Sequence, residues 1–231
     1  MSIKMHLTIG NKVYSSWSFR PWIVMRAKGI PFDETVVPLK TADTSAEIRK
    51  VSASGKVPCL VDGDVVVWET LAIMEYLAEK FPAKGIWPRD VAARAHARAI
   101  SAEMHAGFQS LRSHCQMVIT QRFAARAVPE AVQADVARIS AIWTDTRAKF
   151  ADPEAGPFLF GDFTAADGMY APVVSRFHSY AIALDPVSQA YADAMRAHPA
   201  FRAWLAGAVA EPWVVAQYET AAPIEDLRAK R

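Results

Sequence analysis

The run Tyr14-Ser15-Ser16-Trp17-Ser18 gathers hydroxyl groups between a short apolar run and the start of a helical pattern. Serine at a helix start caps orphan backbone N–H groups, a role that needs no chemistry. The same place offers hydroxyl donors beside the positive end of a helix dipole, the combination that stabilises a thiolate. A thiol with a pKa of ~8.5 is mostly protonated at neutral pH, so donors here would turn it into a nucleophile. A second candidate is Ser54-Gly55-Lys56-Val57-Pro58-Cys59-Leu60, where a proline opens a strand. A trans proline suits that position; a cis Val57-Pro58 bond would instead turn the Val57 N–H and C=O outward, where an extended peptide pairs with them as an added strand. The third is Trp68-Glu69-Thr70, just ahead of an apolar-periodic helix. An acid and a hydroxyl in a first turn stabilise a helix. They also match the α-amino acid end of a peptide, with Glu69 on the ammonium group and the Thr70 hydroxyl and N–H on the carboxylate.

The elements that must position these groups change character near residue 85. Ahead of it, Met5 to Ile9 reads as strand, Trp17 to Lys28 as helix and Asp33 to Val37 as strand. A loop at Thr41 to Thr44 and a short helix to about Val51 follow. The strands Cys59 to Asp62 and Val65 to Val67 flank an Asp62-Gly63-Asp64 turn, which predicts a hairpin. A helix from near Glu69 carries Leu71, Met74, Leu77, Ala78 and Phe81 on one face and stops at Pro82. Pro82 to Pro88, with Gly85 inside it, reads as a linker. Beyond it Ala93, Ala97, Ile100, Met104, Phe108, Leu111, Cys115 and Val118 recur at steps of three and four, which predicts one long amphipathic helix. A second runs from Val132 to Phe150. Further helices are expected over Thr164–Tyr180, Pro186–Ala197 and Pro199–Ala210.

With 231 residues, 52% of them hydrophobic, the chain can bury a sizeable core in one or two domains. A net charge of +2 with interspersed signs argues against a nucleic-acid partner. No apolar run approaches the ~20 residues of a membrane span, and no leader pattern opens the chain, so a cytoplasmic location is expected. Cys59 and Cys115 form neither a CxxC pair nor a metal cluster and read as small buried residues. His105, His114 and His178 lack metal-ligand spacing, and no metal is expected.

Taken together, these motifs resemble the glutathione transferase superfamily, and within it the zeta class of maleylacetoacetate isomerases. Ser15-Ser16-Trp17-Ser18 stands where the zeta signature has Ser-Ser-Cys-Ser, and Arg20 agrees. Lys56-Val57-Pro58 and Glu69-Thr70 correspond to the superfamily's glutathione-binding pairs, and Leu71-Ala72-Ile73-Met74-Glu75-Tyr76-Leu77 is like its third helix. Gly107-Phe108-Gln109-Ser110-Leu111-Arg112 is similar to Gly-Ile-Gln-Pro-Leu-Gln, and Ser175-Arg176-Phe177 to Glu-Arg-Phe. Thr164-Ala165-Ala166-Asp167 matches the superfamily's capping box, a folding device.

The resemblance implies an α/β plus all-α fold. Residues 1–84 would form a thioredoxin-like glutathione-binding domain with a mixed four-stranded sheet, 85–90 a linker, and 91–231 a helical bundle that binds the second substrate. It implies glutathione as co-substrate, a small electrophile as partner and a homodimer. Ser15 would donate to the glutathione sulfur, with Ser16 and the helix start assisting and Trp17 beside them. Val57 and Pro58 would take the cysteinyl backbone, Glu69 and Thr70 the γ-glutamyl end, and Lys40 and Lys56 the glycyl carboxylate. His105, Gln109, Arg112 and Arg176 would face the electrophile, although a helix-surface position for His105 and an interhelical salt bridge for Arg176 fit as well. Conjugation, cis-trans isomerisation of a maleyl keto acid and peroxide reduction all use the same thiolate. A non-catalytic interaction module shares the fold.

Overall fold

The computed structural model describes residues 5–219 and 221–230; the outermost ends of the two expected domains, 1–4 and 231, lie outside the described residues, as does 220. The first part is a four-stranded sheet of order β2-β1-β3-β4. Strand β1 (Met5–Gly10) runs parallel to β2 (Phe32–Val37) and antiparallel to β3 (Cys59–Asp62), which forms a hairpin with β4 (Val65–Trp68). Parallel pairing of β1 with β2 requires a crossover, supplied by helix α1 (Ser16–Ala27). The short α2 (Thr44–Arg49) follows β2, and α3 (Thr70–Lys80) follows β4.

From α4 (Val91–Ala106) onward the chain is mainly helical: α5 (Gln109–His114), α6 (Glu130–Phe150), α7 (Ala165–Ser179), α8 (Pro186–Ala197) and α9 (Pro199–Ala210). The first site motif sits where these two parts meet. Helix α7 lies against α1, and Gly168 makes that approach possible: a Cβ there would stand 2.4 Å from Val24 Cγ2. The capping box at the start of α7 is formed, with the Thr164 side chain and Asp167 satisfying each other's backbone N–H groups.

The long helix expected from Ala93 to Val118 is instead two helices. Gly107 is extended and Phe108 takes a left-handed conformation (φ 60°, ψ 40°), so the chain turns between α4 and α5. The apolar spacing survives because both pieces press the same face into the core, where Met104, Phe108, Leu111 and Cys115 are all buried. Periodicity reports burial rather than backbone continuity. The break exposes the last carbonyls of α4, and Arg112 from α5 donates to two of them, Met104 O and His105 O. A cation also suits that end of the helix dipole.

The sequence pattern missed the course of the C-terminal tail. It returns to the body and adds strand β6 (Glu225–Asp226) antiparallel to β5 (Gln121–Arg122). Cys59 and Cys115 are buried free thiols.

Candidate functional site

Ser15 occupies the position before α1 but makes no capping hydrogen bond. Its hydroxyl donates to Ser18 Oγ at 2.8 Å, and Ser18 in turn accepts the Gly10 N–H at 3.0 Å. The capping role considered from sequence is therefore not filled by Ser15. Ser16 is half-buried, and its hydroxyl keeps no hydrogen-bond partner among the described residues. Four residues after Trp17, Pro21 interrupts α1 and offers no N–H, so the Trp17 carbonyl loses its helical donor. The Thr70 hydroxyl supplies the replacement at 3.1 Å, which fixes the start of α3 against the start of α1.

Glu69 precedes α3 with φ 70° and ψ 131°, a positive φ that costs a non-glycine residue on the order of 1–3 kcal/mol. That conformation carries its exposed side chain beside Val57 and Pro58. The Val57-Pro58 peptide is cis. Val57 is half-buried, and its N–H and C=O make no backbone hydrogen bond among the described residues.

These groups border two adjoining hollows. The larger, of about 590 Å³, is lined by Ser15, Ser16, Trp17, Lys40, Lys56, Val57, Gln109, Arg112 and Arg176 of the predicted residues. The smaller, of about 220 Å³, is lined by Glu69, Pro58 and His105, and shares Trp17, Lys56 and Val57 with the larger. Thr70 lines neither; its hydroxyl is spent on Trp17, leaving its first-turn N–H for any ligand. His105 falls in the smaller hollow, with Nε2 4.0 Å from a Glu69 carboxylate oxygen. Burial first, and then the charges of Arg20 and Arg112, hold its imidazole below the usual value, so it is neutral at pH 7.

Charge is one-sided in the larger cavity. Lys40, Lys56, Arg112 and Arg176 line it, and among the described residues no carboxylate does. Arg176 is 5% exposed and donates to Cys115 O at 2.8 Å and Pro172 O at 3.3 Å, so it is held by carbonyls and not by the interhelical salt bridge considered from sequence. Burial, with Arg112 nearby, pulls its pKa down to about 10, still a cation at pH 7. Burial likewise lowers Arg112. The same is true of fully buried Arg20, which donates to Met169 O and Ser16 O at 3.0 Å each. Such a wall favours anions.

The glutathione S-transferase N-terminal domain model matches residues 14–80 and the C-terminal domain model matches residues 121–207. This chain belongs to the glutathione S-transferase family. Among glutathione S-transferase relatives it is 34% identical to a probable maleylacetoacetate isomerase of Caenorhabditis elegans over 105 residues, 44% of this chain and 49% of that protein. It is 29% identical to the maleylacetoacetate isomerase of Rattus norvegicus over 178 residues, 74% of this chain and 78% of that one. The match thus spans about half the length of the first of these relatives. Two solved structures share the glutathione S-transferase fold. One is a holo maleyl pyruvate isomerase of the zeta class, with TM-score 0.64, 24% identity and coverage of 91% of this chain and 100% of that one. The other is a glutathione transferase homolog from Burkholderia, with TM-score 0.66, 24% identity and coverage of 94% and 100%.

Sequence reasoning missed Tyr14 and Tyr218 as wall residues of the larger cavity of this glutathione S-transferase family member. Their rings lie 5.5 Å apart. The Tyr14 hydroxyl meets Glu219, the Val215 N–H and Arg228, all from the C-terminal tail, and burial together with Glu219 raises its pKa. Nothing in the aperiodic tail announces that it returns to Tyr14. Among the described residues no helix is long and apolar enough to cross a membrane.

Proposed function

We propose that this chain is a glutathione transferase, which activates the glutathione thiol for attack on a small electrophile. One observation carries the reading: a single cavity of about 590 Å³ gathers the serine turn, the free backbone of Val57 and four cations with no acid among its lining residues. A thiolate is stabilised by hydroxyl donors, by a helix N-terminus and by positive surroundings, and all are assembled there. Ser15 and Ser16 donate to the sulfur, which asks Ser15 only to turn its hydroxyl away from Ser18. Val57 and Pro58 take the cysteinyl backbone, Glu69 the γ-glutamyl ammonium and the Thr70 N–H its carboxylate. Lys40 and Lys56 hold the glycyl carboxylate, His105 closes the smaller hollow, and Gln109, Arg112 and Arg176 face the electrophile. With an aromatic halide the C–S bond forms as the halide leaves, the thiol proton having gone to solvent.

The same reading divides the chain into a glutathione-binding domain over 1–84, a linker at 85–90 and a helical domain over 91–231, in a cytoplasmic two-fold homodimer. Val65, Val66 and Trp68 of the edge strand β4 are 42–44% exposed, an apolar sheet edge suited to a partner. Light scattering checks it, and a concentration-independent monomer mass sinks it. The central experiment is calorimetric titration with glutathione, then assays on an aromatic halide, a hydroperoxide and a maleyl keto acid. Ser15→Ala is expected to preserve the fold and lower turnover on the order of 10²-fold, the loss typical of one preorganised donor. Unchanged kinetics and an unchanged bound-thiol pKa would defeat the assignment.

A further inference from the structure

Two of the positions that depart from the zeta pattern touch each other. Trp17 stands where that signature has cysteine, and Arg112 stands where the Gly-Ile-Gln-Pro-Leu-Gln segment ends on glutamine. The Arg112 guanidinium carbon lies 4.7 Å from the centre of the Trp17 ring. Arg20 lies 4.4 Å from the same ring, and Arg20 is itself pinned to the carbonyls of Met169 and Ser16. The indole therefore touches both a fixed cation of the core and a cation of the cavity wall. His105 packs on it as well, at 5.0 Å.

Arg112 has few other restraints on its orientation. One nitrogen reaches the Met104 and His105 carbonyls, and its Nε is buried without a hydrogen-bond partner. No carboxylate lies among the residues that line the cavity beside it. Backbone carbonyls hold one end of the guanidinium, and the indole face holds its plane. A cation fixed in this way suits a carboxylate, because its charge is placed without a search through rotamers and its other terminal nitrogen, Nη1, is left to donate to the incoming oxygen.

We propose that Trp17 is a positioning residue, which holds Arg112 as a fixed cation in the cavity wall so that the pair selects electrophiles carrying a carboxylate. The proposal rests on the transferase reading above and adds the substrate class and the device that reads it. Cysteine at 17 has no face on which a guanidinium can lie, and glutamine at 112 has no charge to place there. Each departure is thus useful in the presence of the other.

The test uses the full chain with 4-chloro-3-nitrobenzoate and its neutral amide, compared as the ratio of kcat/KM for acid over amide. The wild-type chain should favour the acid. Trp17→Cys and Arg112→Gln should each lower the ratio roughly five- to tenfold, chiefly through KM for the acid, the worth of a partly desolvated cation–π contact of about 1–1.4 kcal/mol. Trp17→Phe, which keeps a ring face, should retain most of the preference. The double variant should fall no lower than the worse single one, since coupled sites are not additive. Single effects that multiply, or a ratio that no variant moves, would overturn the proposal. Turnover of neither compound by the wild-type chain would instead count against the transferase reading. The positioning role is then decided by a thermal-unfolding cycle on the same variants, where coupled losses support it and additive losses refute it.

Discussion

In the C-terminal tail, Arg228 meets carboxylates: Glu219 at 2.8 Å and Asp226 at 2.8 Å, with side chains only 12–19% exposed. In the pocket wall Arg112 and Arg176, and in the core beside it Arg20, meet backbone carbonyls instead. The consequences are opposite. Hydrogen bonds donated to the acids together outweigh burial and raise the Arg228 pKa, and Asp226 is held at about 2. Burial lowers all three of these arginines. A carbonyl satisfies an N–H without cancelling the charge, and Asp135 only partly offsets burial at Arg112, so the wall keeps most of its field for a ligand, whereas the tail consumes its field in holding itself down. Gln121 completes the tail's network by donating to both Glu219 and Asp226 at 2.9 Å.

The sharpest way to break this contrast is to remove one arginine of each kind. Arg228→Gln should cost about 2 kcal/mol, the order implied by the depression of Asp226, because two half-buried acids lose their shared cation. In a domain of this size that lowers the unfolding temperature by roughly 4–8 °C. Arg112→Gln should cost less, about 1 kcal/mol, since it removes a helix C-terminal cation whose carbonyl partners can turn to water. Arg20→Met should stay within roughly 1 kcal/mol of the wild-type chain although Arg20 is completely buried. Its partners, Met169 O and Ser16 O, lie within helices α7 and α1 and keep their backbone donors. Calorimetric unfolding of the three variants checks the order. A larger loss at Arg20 than at Arg228 would show that the core beside the pocket, too, is held together by charge.

The same contrast explains what could be read from residue order. The sheet strands, the crossover helix and the helices from α6 onward carry local signals: the Asp-Gly-Asp turn, prolines opening α8 and α9, and the Thr164 capping box. Proline at 186 and at 199 marks those starts because its missing N–H costs nothing in a first turn. The serine turn, Val57 and Glu69 were legible as well, since each lies at a strand or helix end where backbone groups are free. Arg176 and Arg112 were legible as residues near the site, but not by their partners. Which carbonyl a buried guanidinium finds depends on where Gly107 and Phe108 turn the chain, and the apolar spacing runs through that turn without a mark. The face of α3 was also set slightly differently: Ile73 is fully buried while Leu71 and Ala78 are half-covered. The tail was illegible for a related reason, its latch being made of polar groups more than ninety positions apart in the chain, such as Gln121 and Glu219.

A third arrangement, arginine against a neutral base, gives the smallest expected effect and refines the comparison. The Arg196 guanidinium donates to His178 Nε2 at 3.1 Å, which requires that nitrogen to be unprotonated. Burial first, then Arg196 and Arg122, hold the His178 pKa down to about 4, with Glu225 and Asp193 pulling weakly the other way. An unfolded histidine titrates near ~6.5, so between these values the unfolded chain binds more protons than the folded one. Stability from this contact is therefore complete above about pH 6.5, is lost as pH falls toward 4, and changes no further below that. Between pH 7 and 6 the half-buried group should account for a fall of about 0.5 kcal/mol, read as a shift in urea midpoint. His178→Gln accepts the same donor without titrating, and its stability should decline less over that interval than the wild-type chain's. Equal slopes for the two chains would mean that the imidazole gains a proton without losing Arg196, and that this arginine, like those of the pocket wall, does not depend on what stands opposite it.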